Sequence, residues 1–172
     1  MPVAISVTIS LFLIIATVLL HYELLQFAST LPARLSIPTR PRILVVIAIV
    51  FAAHLIEASL YAVAYYAMKA HFGLGALVGH LEGNILDYFY FSIATYTTLG
   101  IGDLSPTGAM RLIAGVEALN GLVLIGWSAS FTYLTMEDLW GTRPRDARPR
   151  ADSLERADPH PKPSGRSHVR RV

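Results

Sequence analysis

Apolar residues fill three long stretches of this chain, and clusters of helix-breaking or charged residues separate them. Val3 to Leu20 carries no charge over 18 residues, the lower end of what spans a hydrocarbon core. His21, Tyr22 and Glu23 then read as an interface. From Ser29 to Arg42, Pro32, Pro38 and Pro41 alternate with Arg34, Arg40 and Arg42, which predicts a connector rather than a continuous helix. Ile43 to Met68 predicts a second spanning helix closed by Lys69, and Ala70 to Gly83, with His71, His80 and four glycines, a solvent-facing loop. Asn84 is a good N-cap for a helix that begins at Ile85, and Asp87 in its first turn suits the positive end of the helix dipole. That helix is too short to cross a bilayer. A short apolar helix running into glycine-containing backbone predicts a re-entrant loop, which is tolerated at membrane depth only when buried in protein. Pro106 and Gly108 interrupt the chain, and Arg111 to Met136 predicts the third span.

Composition supports this reading. The chain has 172 residues, 53% hydrophobic and 15% charged, the balance of a small membrane protein with a polar tail. The absence of cysteine excludes disulfides and thiolate metal sites. A secretory signal peptide is the competing reading of the first stretch. It would want an early positive charge, and no Lys or Arg precedes Arg34, so a retained helix is expected. From Gly141 the chain is rich in Pro, Arg and Asp and has no core to bury, so it is expected to be disordered. The expected organisation is therefore an N-terminal helix over 1–27, a cytoplasmic connector over 28–42, a membrane module over 43–137 and a tail over 138–172. Of the fourteen Lys and Arg, three lie in the connector and nine in the tail, which predicts that both are cytoplasmic and the N-terminus outside. The tail either contacts anionic lipid through its arginines or stays solvated without a partner. No nucleic-acid partner is expected.

Candidate chemistry concentrates in Thr97-Thr98-Leu99-Gly100-Ile101-Gly102-Asp103. Two glycines one residue apart allow backbone conformations that a Cβ opposes, and such alternation can turn successive carbonyls to one side of an extended strand. A row of carbonyls facing a common axis can replace the hydration shell of a small cation. A phosphate loop would need a βαβ unit around it, which is missing, and the bland alternative is a turn between two membrane helices. The stretch resembles the potassium-channel signature Thr-Val-Gly-Tyr-Gly-Asp, with Leu99 for valine and Ile101 for tyrosine. The wider run from Tyr90 to Asp103 resembles the pore helix and filter of that family, and Glu117 to Ser128 resembles the inner helix of its small prokaryotic members. The resemblance covers about residues 43–137, a two-helix pore module to which the first span is an addition.

With the first span added, the expectation is an all-α membrane protein with three transmembrane helices, and the resemblance implies a re-entrant pore helix and a selectivity-filter loop, assembled as a homotetramer in a bacterial inner membrane. It implies K⁺ held at Thr98, Leu99, Gly100 and Ile101, with Gly102 completing the turn outward. Asp103, Thr97 and Glu117 would support the filter. No enzyme activity is expected, and no cofactor beyond the permeant K⁺. Two departures bear on rigidity: Ile101 lacks the tyrosine hydroxyl that braces many relatives, and Ala94 stands where some carry a glutamate that bonds the filter aspartate. Asp103 then needs another partner. Glu117 is expected to bond hydroxyls behind the filter, with Thr95, Thr97 and Tyr96 nearest in sequence.

Gly121 falls where relatives have a hinge glycine, and it also suits close helix packing. Ile125, Ala129 and Tyr133 share a helix face and either line a lower constriction or pack against lipid and the second span. His54, Glu57 and Glu117 are ionisable groups inside spans, costly unless paired, and so candidates for function. His54 and Glu57 share a helix face as a hydrogen-bonded pair or as part of a metal site, for which two ligands are too few. The function expected is a K⁺-selective channel. The rivals are a non-selective cation channel and an intramembrane metalloenzyme using His54, Glu57 and Glu117.

Overall fold

The computed structural model describes residues 2–34 and 38–141. Three helices there are long and apolar enough to cross a membrane. They are α1 (Pro2–Arg34), α2 (Thr39–Ala67) and α4 (Met110–Trp140). Between the last two, the short helix α3 (Ile85–Tyr96) is flanked by strands β1 (Leu77–Gly79) and β2 (Leu104–Pro106). This is an all-α multi-pass membrane fold.

Helix α1 buries one face made of Ser6, Ser10, Leu13, Thr17, His21, Leu25 and Ala28, at spacings of three and four. Its exposed positions include Val3, Val7, Leu11, Phe12, Ile15 and Leu19. The pattern inverts that of a soluble helix. Lipid is as apolar as leucine, so small and polar side chains, which allow close approach and bond between helices, define the protein-facing side. Thr17 accepts from the Asn120 amide of α4 at 2.8 Å, and the same amide lies 3.2 Å from the Tyr61 hydroxyl of α2, which ties the three helices together.

Several boundaries differ from expectation. Helix α1 runs through Pro32 to Arg34, because a proline near the last turn forfeits a single helical hydrogen bond. His21 is therefore no interface residue: it sits fully buried within α1. Helix α2 begins at Thr39, so the expected connector is largely helical at both ends, and residues 35–37 lie outside the described residues. Helix α4 extends to Trp140, into the expected tail, and the disorder expected of 142–172 likewise falls outside the described residues. Helix α2 also continues into a π-helical turn over Met68–Phe72, closed by Gly73 in the left-handed conformation.

The loop expected over 70–83 contains β1, which pairs antiparallel with β2 in the register Leu77↔Pro106, Val78↔Ser105, Gly79↔Leu104. Strand β1 lies so close that a Cβ on Gly79 would sit 2.0 Å from the Asp103 carbonyl oxygen. Leu77 and Leu104 bury into a core with Tyr61, Tyr65, Met68, Tyr88, Phe91, Met110 and Ile113. The ribbon thus anchors the chain on the far side of the 97–103 stretch.

Candidate functional site: the 97–103 loop and the polar groups behind it

Helix α3 starts where its sequence requires. Asn84 caps the Leu86 and Asp87 amides, and the Asp87 carboxylate returns to the Asn84 amide, a complete capping box. Twelve residues at about 1.5 Å each make some 18 Å, well short of a membrane. At the other end its last carbonyls are taken by the loop that follows. The Thr97 amide donates to Ile93 at 3.0 Å, Thr98 to Thr95 at 2.9 Å and Gly100 to Ala94 at 3.1 Å. The loop is therefore laced to the negative end of the α3 dipole.

Thr98, Gly100 and Gly102 have φ of 58°, 52° and 88°, while Leu99 and Ile101 keep negative values. Such left-right alternation is the backbone pattern that can turn successive carbonyls to one side. Thr98 is the one non-glycine with positive φ among the described residues, and a β-branched residue there is held at a cost of about 1–3 kcal/mol. Such strain collects at functional sites. Every residue from Thr97 to Asp103 is exposed on the single chain, Leu99 at 66% and Ile101 at 58%. An added Cβ on Gly100 would meet no atom within 4 Å.

Asp103 finds the partner that Ala94 does not offer. The Tyr90 hydroxyl of α3 lies close to its carboxylate, which makes that phenol harder to ionise than usual. The Leu104 amide also donates to Asp103 Oδ1 at 3.0 Å.

Behind the loop, Glu117 of α4 is fully buried and bonds two hydroxyls, as expected in kind but with different partners. They are Tyr65 of α2, at 2.5 Å, and Ser92 of α3. Thr97 instead returns its hydroxyl to the Ile93 carbonyl at 2.7 Å, and Tyr96 turns to Glu57. Ser92 lies one turn before Tyr96 on the same face of α3, and these two successive positions serve two different carboxylates. Gly121 supports the packing alternative. Its ideal Cβ would stand 2.2 Å from the Tyr96 carbonyl oxygen, so α4 crosses α3 with no room for a side chain.

A second buried polar group lies beside Tyr96. Its hydroxyl donates to Glu57 Oε2 at 2.5 Å and sits 2.9 Å from His54 Nδ1. Glu57 Oε1 meets His21 Nδ1 at 2.8 Å, and the other His21 nitrogen meets Ser128 Oγ at 3.1 Å. The expected His54 and Glu57 pair is present at 3.3 Å, but Glu117 is not its third member. Among the described residues the group whose ligand atoms come together is His21, His54 and Glu57. His21, Tyr65, Ser92 and Ser128 were missed from sequence as site residues, and Tyr96 was expected to bond Glu117 rather than Glu57. The polar stripe on α1 was the available signal for His21. Ile125, Ala129 and Tyr133 line a groove of about 420 Å³ together with Ile47, Val50, His54 and Ser128.

Alternating left-handed backbone with a strained threonine at one end, and two buried carboxylates bonded to hydroxyls of the helix that leads into it, are compatible with a loop whose carbonyls coordinate a dehydrated cation. A family model described as "Ion channel" matches residues 43–137, from α2 through α4. The chain is also similar to two-pore potassium channel 1 of Arabidopsis thaliana, 45% identical over 49 residues. That match covers 28% of this chain and 14% of the relative's length. No solved structure matches the chain. With more than half of its residues, and the whole of the loop and its support, inside the matched segment, the chain belongs to the ion-channel family.

Proposed function

We propose that the protein is a potassium-selective channel that conducts K⁺ passively through a filter formed by Thr98, Leu99, Gly100, Ile101 and Gly102 from four copies of the chain. The observation that carries this reading is the left-handed backbone at Thr98, Gly100 and Gly102, the pattern with which carbonyls can be aligned as a dehydrated ion requires. One chain supplies one such strand, and its exposed Leu99 and Ile101 want cover. A homotetramer provides both a ring of ligands and that cover. The potassium channel named among the relatives, and the resemblance of the pore module to bacterial channels, support K⁺ as the ion and a bacterial inner membrane as the location. The basic residues favour an outside N-terminus and a cytoplasmic C-terminus.

In this reading Asp103 and Tyr90 brace the outer filter, where relatives use other groups, and Glu117 braces its inner end through Ser92. Ile125, Ala129 and Tyr133 line the route to the cytoplasm, with Gly121 the point where α4 bears on the filter base. Reversal potentials of purified protein in lipid bilayers under opposed K⁺ and Na⁺ gradients test the reading. A shift toward the K⁺ equilibrium potential is expected. Equal permeability would establish the non-selective channel instead, and no current through a correctly inserted protein would refute conduction.

A further inference from the structure

Three ionisable side chains meet in the middle of an apolar bundle, and conduction through carbonyls uses none of them. His21 comes from α1, His54 and Glu57 from α2, one helical turn apart, and their ligand atoms all lie within 4.8 Å of one another. His21 and Glu57 are fully buried, and the His54 side chain is 19% exposed. Such groups are expensive inside a membrane protein and mark sites by default.

We propose that His21, His54 and Glu57 form a binding site for a divalent transition-metal ion of the Zn²⁺ class. A tetrahedral ion with ligands at about 2.0–2.2 Å sets its donor atoms about 3.3 Å apart. Here the His54 Nδ1 to Glu57 Oε2 separation is already 3.3 Å, and that of His21 Nδ1 from Glu57 Oε1 is 2.8 Å. The Tyr96 hydroxyl, 2.9 Å from His54 Nδ1, is the nearest fourth donor. A ligating histidine is normally oriented by a partner on its other ring nitrogen, and His21 has one in Ser128, 3.1 Å from Nε2. Two imidazoles and one carboxylate select Zn²⁺, Co²⁺ or Cu²⁺ over Ca²⁺ and Mg²⁺, which prefer all-oxygen shells. His54 also lines the 420 Å³ groove between α2 and α4, which gives the ion a path from the end where α2 begins and α4 finishes.

A bound ion would join α1 and α2 to Tyr96, the residue directly before Thr97 and Thr98. Its effect on current rests on the channel reading, but its binding does not.

The test is equilibrium dialysis of chelator-treated, full-length protein in detergent against micromolar Zn²⁺, with Co²⁺ absorption spectra in parallel. A single ion per chain and the intense visible bands of tetrahedral Co²⁺ are expected. His21→Gln keeps a donor toward Glu57 but removes the imidazole, and Glu57→Gln removes the carboxylate. Each should weaken binding at least about tenfold. Replacing His71, His80, His160 and His168 together with Ala should leave binding unchanged. The proposal is overturned if the wild type binds no Zn²⁺, or if binding survives His21→Gln and Glu57→Gln but is lost in the four-histidine variant. Should the two Gln variants fail to insert, the wild-type Co²⁺ spectrum decides: tetrahedral bands support the site, and the pale spectrum of octahedral Co²⁺ sinks it.

Discussion

Glu117 has two partners with unequal needs, so two substitutions there should behave very differently. Tyr65 is fully buried and donates its hydroxyl to Glu117 Oε2 at 2.5 Å. Ser92 has a single hydroxyl hydrogen and two acceptors within reach, the Ala58 carbonyl at 2.6 Å and Glu117 Oε1. Glu117→Ala orphans the Tyr65 phenol, at about 1–3 kcal/mol, and leaves a void worth about 1 kcal/mol more. A total of about 2–4 kcal/mol lowers the folded-to-unfolded ratio by about 30-fold or more. In Glu117→Gln, the amide oxygen accepts from Tyr65 and the NH₂ donates to the Ser92 oxygen. Ser92 is then free to give its hydrogen to Ala58. Every buried group keeps a partner, so this variant should match or exceed the wild type. Thermal unfolding midpoints of the purified proteins, read by fluorescence and by loss of the assembled species on size exclusion, give the comparison. Current decay during sustained conduction should follow the same order, since Ser92 lies on the helix that leads into the filter. If Glu117→Gln proves as damaging as Glu117→Ala, the hydrogen-bond assignment is wrong. If Glu117→Ala matches the wild type, the carboxylate does not brace α3.

Gly121→Ala places a Cβ 2.2 Å from the Tyr96 carbonyl oxygen and should cost about 1–3 kcal/mol in thermal stability. Gly126→Ala, where nothing lies within 4 Å, is the control, and equal midpoints for the two would refute the close crossing. Gly100→Ala and Gly102→Ala should insert normally yet lose K⁺-selective current, because φ of 52° and 88° opposes a Cβ even where space is open. Wild-type selective currents from either variant would dismiss the filter. The chain has no cysteine, so single substitutions report topology directly. Glu82→Cys should react with an impermeant thiol reagent from outside and Ser153→Cys from the cytoplasm only, and the reverse pattern would overturn the orientation.

Much of this protein was legible in its sequence. Three long apolar stretches announced three membrane helices, because water is absent from the bilayer core and only helices satisfy their own backbone there. The Asn84 and Asp87 pair fixed the start of α3 to the residue, since a capping box is a local contact within four positions. The glycine spacing marked the 97–103 loop for the same reason: left-handed backbone is a property of the residue itself. What sequence could not supply was every partner brought in from another helix. His21 joins Glu57 across 36 positions and Tyr65 joins Glu117 across 52, and the choice depends on the phase at which each helix meets its neighbour. Sequence proximity therefore suggested Thr95 and Thr97 for Glu117, while packing delivered Tyr65 and Ser92. The β1–β2 ribbon was hidden likewise, because three-residue strands carry too short a pattern to read and form only where the flanking helices hold them together. In a membrane protein, where lipid and core are equally apolar, hydrophobicity tells which segments cross but not which faces touch. That second decision lies with the small and polar side chains, and only the packed helices show which of them meet.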